Sequence, residues 1–468
     1  MERMGKPSVM IDTKPFFSDS KSAAAAVGLP DLRIVALPVA TTANRPEEEL
    51  KRVAREVLQE VIDGLTKKSA SAETTKPEPF KPKPARELSF TGRDYIEAMA
   101  AMEKYFLANR WSDGFPLIPP TREAVEEMIG ATGLPGDHIV GIVDPKKGVA
   151  TVERIAINAV MAGCRPAYMP VLVAIVEALT DPAFDLYGVQ CTGGLTAPLV
   201  IVSGPIVKEL NLNFSYSTAG PGWKSNSTIG RATRLILINI GQAWPGINDM
   251  KDVGNPAKFG IVIAENEVQN PPNWPTLRER EGFKKDASTV SVYASQSFRQ
   301  IHDSQKYLAS SKKPEPIVDP MIARLMSTSL NATAEQWGEE ILLVIGPVMA
   351  NILAGHGYTP ETIAQELYEK GRIRRDIFGP RPLGAYAVGS GIPKWIDYLP
   401  DDGMVPVVPR PEDIKIVVSG GRGPGTGFLV DRWGFGNSHF VTKQVKLPAH
   451  WKDLLKELNE WQTPIEVK

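Results

Sequence analysis

Apolar residues along this chain repeat with two periods, and the alternation between them predicts its elements. Near the start, Pro7-Ser8-Val9-Met10-Ile11 reads as a strand, residues 18–27 as a small-residue helix ended by Gly28, Arg33 to Val39 as a second strand, and residues 46–65 as a second helix. Strands alternating with helices imply a parallel sheet covered on both faces. Two strands in ~65 residues bury too little apolar surface to stand alone. Further strands are therefore expected from a separate subunit, a second copy of this chain, or another part of the gene. Ligands of such sheets sit beyond the carboxyl ends of the strands, so part of an active site is expected to lie outside these residues.

From Lys67 to Arg86 the pattern disappears into Lys, Pro, Ser and Thr, which predicts an extended linker. The body then begins with a helix over residues 92–109: Tyr95, Met99, Met102 and Phe106 recur at helical spacing, and Thr91 is a plausible N-cap. A turn-rich loop from Trp111 leads to Thr121, which should cap a helix carrying Glu123 in its first turn. Residues 150–178 read as helix in two pieces broken at Gly163-Cys164-Arg165-Pro166, because Pro166 cannot continue the first. Strands are expected at 199–202, 259–264, 340–345 and 414–418, and helices from Thr228 to Asn239 and over 320–326, 347–354 and 360–371. The stretch from 268 to 316 reads as weakly structured, and no internal repeat stands out. The fold class is α/β: an incomplete N-terminal parallel half-domain (1–66), a linker (67–86), an α/β substrate-binding domain (87–316) and a C-terminal α/β domain (317–468).

Composition narrows the function. An apolar fraction of 43% and a charged fraction of 23% are those of a globular protein. A net charge of −1 leaves no electrostatic footprint for nucleic acid. No apolar run reaches the ~18 residues of a membrane span, and the first residues lack a signal-peptide core. Two cysteines, Cys164 and Cys191, rule out a disulfide framework and a four-cysteine zinc site. The expectation is a cytoplasmic protein with no nucleic-acid or membrane partner. The five histidines show no paired spacing, so no metal is indicated, and no cofactor can be named.

Four constellations could carry chemistry. Cys164 sits at a helix break beside Arg165, where a neighbouring cation would lower the thiol pKa and favour the reactive thiolate; the alternative is a buried packing cysteine. Asn158 lies one and a half turns before it. Cys191, in a Gly turn, would be accessible but has no activating neighbour. Gly220-Pro221-Gly222-Trp223-Lys224-Ser225-Asn226-Ser227-Thr228-Ile229-Gly230-Arg231 is a Gly-rich turn opening a helix, whose free N–H groups and positive dipole end suit a carboxylate or phosphate. In this reading Gly222, Asn226, Thr228 and Arg231 bind the anion; the alternative is an ordinary cap by Ser227 or Thr228 with Arg231 on the surface. Glu265 and Glu267, at a strand end, could act as acid, base or cation ligands. Gly421 and Gly423, after the last predicted strand, could let backbone approach a substrate, although Pro424 stands where a dinucleotide-binding helix would begin. His356 reads as a helix C-terminal turn, and His439, after a Gly-rich stretch, is the better catalytic histidine.

Several of these segments together resemble a family of bacterial proteins named for a UGSC or CGSC motif, in which U is selenocysteine. The likeness is carried by Gly28-Leu29-Pro30-Asp31-Leu32, by Asp113-Gly114-Phe115-Pro116-Leu117-Ile118-Pro119-Pro120-Thr121, by Thr151 to Pro166, by Thr228-Ile229-Gly230-Arg231-Ala232 and by Glu265-Asn266-Glu267. The resemblance implies thiol- or selenol-dependent redox chemistry on a small molecule. The naming motif is absent from this sequence; in the family it lies upstream of the position of Met1. Either a selenocysteine codon has been read as a stop, or the thiol or selenol half is a separate subunit.

The leading expectation is thus an oxidoreductase-like enzyme, or a subunit of a catalytic complex, acting on a small anionic molecule. Cys164, Glu265, Glu267 and His439 would be catalytic. Asn158, Arg165, Gly222, Asn226, Thr228, Arg231, Gly421 and Gly423 would bind substrate. A partner chain or second copy would complete the N-terminal unit. The alternatives are a cation-assisted lyase or hydrolase and a non-catalytic substrate-binding subunit.

Overall fold

The computed structural model describes residues 6–26, 29–40, 42, 45–67, 85–302, 314–336, 340–374, 403–423, 425–433 and 438–461. Gly28, Pro424 and most of the expected linker (68–84) lie outside them.

The N-terminal unit follows the predicted order. β1 (Val9–Thr13) pairs in parallel with β2 (Arg33–Leu37). α1 (Phe17–Ala26) connects them, and α2 (Glu47–Thr66) follows. Val53, Val57 and Gly64 are the buried positions of α2. A Cβ at Gly64 would lie 2.5 Å from the Val9 side chain, so bare backbone is what lets α2 approach β1. Met10 and Ile11 of β1 and Leu58, Ile62 and Leu65 of α2 stay exposed.

The body opens with α3 (Tyr95–Ala108), capped by Asp94, whose carboxylate accepts the Glu97 N–H; Thr91 is not the cap. Thr121 does cap α4 (Arg122–Gly130), accepting the Ala124 N–H at 3.3 Å. An unpredicted hairpin, β3 (Ile139–Val143) and β4 (Gly148–Thr151), feeds α5 (Val152–Ala162). α5 ends at Gly163, which takes the left-handed conformation (φ 83°). The chain restarts through Pro166 into α6 (Met169–Leu179), as the proline predicted, and then α7 (Leu186–Cys191). The remaining elements are β5 (Ala197–Ser203), α8 (Ile206–Glu209), α9 (Lys224–Asn239), β6 (Ile261–Ala264), α10 (Leu277–Arg280), β7 (Thr289–His302), α11 (Glu315–Gln336), β8 (Ile341–Ile345), α12 (Pro347–Gly355), α13 (Pro360–Lys370), a short pair β9 (Arg372–Arg374) and β10 (Met404–Pro406), β11 (Ile414–Val418), β12 (Thr426–Arg432), β13 (Val441–Gln444) and α14 (Trp451–Trp461).

One mixed sheet organises the body, in the order β11-β8-β12-β7-β5-β6, with β13 also paired to β7. It consists of two units of the same topology. In the first, β5 pairs in parallel with β6 and antiparallel with β7. In the second, β8 pairs in parallel with β11 and antiparallel with β12. The units join through the antiparallel β7–β12 pair. The sheet curves into a partly open barrel whose edge strands touch only at their carboxyl ends: Asn266 N–H donates to Val418 O at 2.7 Å, and the Ser419 hydroxyl to Ala264 O at 2.7 Å. Successive strand residues point to opposite faces. Leu199, Ile201, Ile263, Tyr293, Leu342, Val344, Val417 and Val430 accordingly fill one interior cluster drawn from all six strands. Their neighbours Val200, Val202, Val262, Val290 and Val292 pack with residues of α5, α6 and α9 on one outer face. Leu343, Ile345, Ile416 and Val418 pack with residues of α11, α12 and α13 on the other.

Two expectations change. The sheet takes strands from both sides of residue 316, so a boundary there does not separate two sheets. The stretch expected to be weakly structured contains β7, the longest strand. Its inward side chains carry hydroxyls that find partners inside: Ser295 Oγ donates to Ala197 O at 2.8 Å, and Tyr293 OH donates to Val430 O at 2.9 Å.

Candidate functional site

The break between α5 and α6 is where the candidate chemistry was expected. Gly163 turns the chain, and Cys164 N–H closes on Ala159 O at 2.9 Å. That turn carries the Cys164 thiol inward, to 6% exposure. Burial pushes the thiol up to about 12, and the Thr228 hydroxyl, Lys224 and Arg231 offset this only in part. The expected lowering is therefore reversed: desolvation outweighs the nearby cations, which favours the protonated, buried thiol. Cys191, expected in an accessible loop, is buried at the end of α7.

α9 begins at Lys224, four residues earlier than predicted, after Gly222 turns with φ 122° into open space. Neither Ser227 nor Thr228 caps it, and Trp223, at the cap position, offers no side-chain hydrogen bond. Arg165 and Lys224 both lie against the Trp461 ring, at 4.8 and 5.1 Å from its centroid. The structure thus gathers Cys164, Arg165, Gly222 and Thr228 at the start of α9. The Thr228 hydroxyl donates to Lys224 O at 2.7 Å, inside its own helix.

Two of the expected anion ligands are occupied elsewhere. Asn226 is buried and staples three segments: its Oδ1 accepts Asn213 N–H at 2.7 Å, and its Nδ2 donates to Asn213 O at 3.2 Å and Val262 O at 3.1 Å. Arg231 grips Asp113 with Nε and an Nη at 2.7 and 3.0 Å and donates to Phe115 O and Pro116 O at 3.2 and 2.8 Å. Each fixes the fold: Asn226 ties α9 to β6, and Arg231 ties α9 to the Trp111–Thr121 loop. A bidentate arginine–carboxylate pair has little charge left for a ligand.

The acidic turn after β6 proves to be a joint of the barrel. Glu265 is 2% exposed, and one carboxylate oxygen accepts Leu277 N–H at 2.7 Å. Burial pushes its carboxyl up to about 7; Leu277 N–H and the Ser203 hydroxyl pull it down, and Glu267 adds to the rise. Glu267 pairs with Arg278 and accepts Gly204 N–H at 2.7 Å. Gly421 packs against Tyr216, whose ring would be 2.5 Å from a Cβ there, and Gly423 lies beside the same ring. The glycines therefore seat a tyrosine where a substrate was expected. His439 stands apart, half exposed, with Nδ1 3.9 Å from Glu340. Among the described residues no group of three His, Cys, Asp or Glu side chains is arranged to hold a metal.

Asn158 alone of the expected ligands lines a large cavity. The cavity, of about 1150 Å³, is walled by α3, α4, α5 and the extended segment 85–90. Arg154 and Asn158, one turn apart on α5, present their side chains on the same face. Asn158 Nδ2 donates to Arg154 O at 2.8 Å, and its Oδ1 accepts Asn239 Nδ2 at 2.6 Å. Asn239 Oδ1 is buried without a hydrogen-bond partner. Arg154 donates one N–H to Val149 O at 2.9 Å and, among the described residues, forms no ion pair. Phe90, Phe106, Trp111 and Met161 supply the apolar wall. Sequence reasoning missed Arg154 and Asn239. The available signal was a charged and an amide side chain at i, i+4 in a helix whose other positions are mostly apolar.

Comparison with known proteins bears on the N-terminal unit. Residues 1–67 match the UGSC family. The UGSC match ends where the linker begins, and the residues that line the cavity, from Ala85 onward, all lie beyond the match. No curated protein and no solved structure matches the chain. No helix among the described residues is long and apolar enough to cross a membrane.

Proposed function

We propose that the body of this chain holds the substrate of an enzyme, or of a catalytic complex, and that the substrate is a small anionic molecule bound in the α5 cavity. The observation that carries this reading is Arg154, a cation that forms no ion pair among the described residues, at the wall of a large concavity and flanked by an asparagine pair with an unused acceptor. Small-molecule sites combine apolar walls with a few convergent polar groups; here Phe90, Phe106, Trp111 and Met161 stand with Arg154, Asn158 and Asn239, while Glu87, Glu123, Glu126 and Glu153 also line the cavity. Arg154 would meet a carboxylate or phosphate, and Asn239 Oδ1 would accept a hydrogen bond from the same molecule. The redox reading is kept in modified form. A reacting thiol or selenol would come from a partner chain, because Cys164 and Cys191 are both buried. The exposed Met10, Ile11, Leu58, Ile62 and Leu65 of the UGSC-family unit support a partner chain or second copy packing there. Two buried cysteines suit the reducing cytoplasm.

Calorimetric titration with a panel of small carboxylates and phosphates, on the wild-type protein and on Arg154→Gln, tests this reading. Removing a charge-assisted contact should weaken the best ligand about tenfold or more. Equal affinity for both proteins, or no anion bound by either, overturns it.

A further inference from the structure

The wall of the α5 cavity specifies more of its ligand than an anionic end. Asn158 and Asn239 form a chain of amides with one orientation. Asn158 Nδ2 donates to Arg154 O at 2.8 Å, so its Oδ1 is the atom that faces Asn239. Asn239 Nδ2 donates to that oxygen at 2.6 Å and to Trp111 O at 3.3 Å. Both of these partners are acceptors, so the Asn239 amide cannot be turned over. Its Oδ1 is buried and receives no hydrogen bond from the protein. A buried acceptor without a donor costs free energy. The group that meets it must bring an N–H or O–H. An ionised carboxylate has neither, so the anionic end of a ligand on Arg154 cannot satisfy Asn239.

The charges around the cavity call for the same kind of group. Glu87, Glu123, Glu126 and Glu153 line it. The lining arginines are Arg86, Arg122 and Arg154. Arg122 pairs with Glu87 and lies 4.0 Å from Glu126. Glu153 accepts the Ala85 N–H at 3.2 Å, and neither Glu153 nor Glu123 joins an ion pair among the described residues. A ligand with negative charge alone would enter a lining in which carboxylates outnumber guanidiniums, four to three. A positive group on the ligand relieves this, the more so where the walls exclude water. Phe90, Phe106 and Trp111 also line the cavity, and aromatic faces attract cations.

We infer that the ligand is an amino acid. This rests on the anion reading of the cavity: the carboxylate lies on the Arg154 guanidinium, the ammonium donates to Asn239 Oδ1, and the glutamates supply counter-charge. Arg154 and Asn158 sit one turn apart on α5, and Asn158 holds Asn239, so the anion site and the acceptor belong to one wall. A volume of about 1150 Å³ leaves room for the rest of the molecule.

Calorimetric titration with matched pairs tests this: butyrate against 2-aminobutyrate, succinate against aspartate, and 3-phenylpropionate against phenylalanine. The members of each pair differ only in the ammonium. In the tightest-binding pair the amino acid should bind at least about tenfold more strongly, the contribution of one charge-assisted hydrogen bond. Arg154→Gln should weaken both members alike. Asn239→Ala should remove the advantage of the amino acid and leave the plain carboxylate unchanged. Glu123→Gln, a change at an exposed position, should shrink the advantage about threefold. Plain carboxylates that bind through Arg154 as tightly as their amino partners overturn this inference and leave the anion reading standing. An advantage that persists undiminished in both Asn239→Ala and Glu123→Gln also overturns it. Binding by neither member of any pair overturns both readings.

Discussion

Replacing Glu265 with glutamine should make the protein more stable at neutral pH and leave it nearly unchanged in acid. The carboxyl is 2% exposed, and burial raises its pKa from 4.5 to about 7. Below pH 4.5 the folded and unfolded chains both carry the proton, and the contribution of Glu265 is fully present. As pH rises through 4.5 the unfolded chain ionises while the folded chain still holds its proton, so stability falls. The loss is complete above about pH 7, where the folded group ionises too. A gap of roughly 2.5 units at ~1.4 kcal/mol per unit amounts to about 3 kcal/mol. Glutamine keeps an oxygen for Leu277 N–H and cannot ionise, so Glu265→Gln escapes this loss. Urea denaturation of both proteins at intervals from about pH 4.5 to 8 reads the effect. The stability difference should widen by roughly 3 kcal/mol in favour of the variant across that range. Two curves running parallel with pH would refute the reasoning and would mean that the carboxylate is solvated or paired in the fold.

Three further perturbations separate packing from chemistry. Alkylation of the folded protein by iodoacetamide near pH 8 should leave Cys164 unmodified, since a thiol pushed up to about 12 is a thiolate in only ~1 molecule in 10⁴; rapid labelling that maps to Cys164 would restore it as a nucleophile. Asn226→Ala should destabilise the protein by about 2–3 kcal/mol, because Asn213 N–H and Val262 O lose their buried partner, while ligand affinity in calorimetry stays the same; lost affinity with unchanged stability would make Asn226 a ligand after all. Arg231→Lys should cost about 2 kcal/mol in chemical denaturation, because an ammonium cannot grip Asp113 in bidentate fashion and also reach two carbonyls; no measurable change would place Arg231 outside the loop clamp.

Periodicity and breakers made much of the fold legible. The βαβα order of the N-terminal unit, the helix break at Gly163–Pro166 and the cap at Thr121 are local effects, set by residues within a few positions of each other. The barrel is not local. The contact between its edge strands depends on Asn266 meeting Val418 and Ser419 meeting Ala264, pairs more than 150 positions apart. β7 escaped notice because Ser and Thr alternate along it, a pattern shared by loops until their hydroxyls find carbonyls inside a barrel. The repeated topology was invisible for a related reason: strand order is conserved between the two units while their side chains differ. At the candidate site, residue type named side chains that the fold gathers at the start of α9, but not the bonds they make there. Cys164 beside Arg165 looked activated, but proximity of charge matters less than burial, and burial cannot be read from a motif. Arg231 and Asn226 looked like ligands because their partners, Asp113 and Asn213, lie on other segments. Arg154 was overlooked because it sits in an amphipathic first turn where a charged residue is ordinary.

The most direct test of the anion cavity is crystallographic. Bromide soaked into crystals of the full chain can be located by its anomalous signal. An ordered bromide within hydrogen-bond distance of the Arg154 guanidinium, absent from Arg154→Gln crystals, is the predicted result. Bromide sites confined to other surfaces, with the cavity beside α5 empty of anomalous signal, would contradict it.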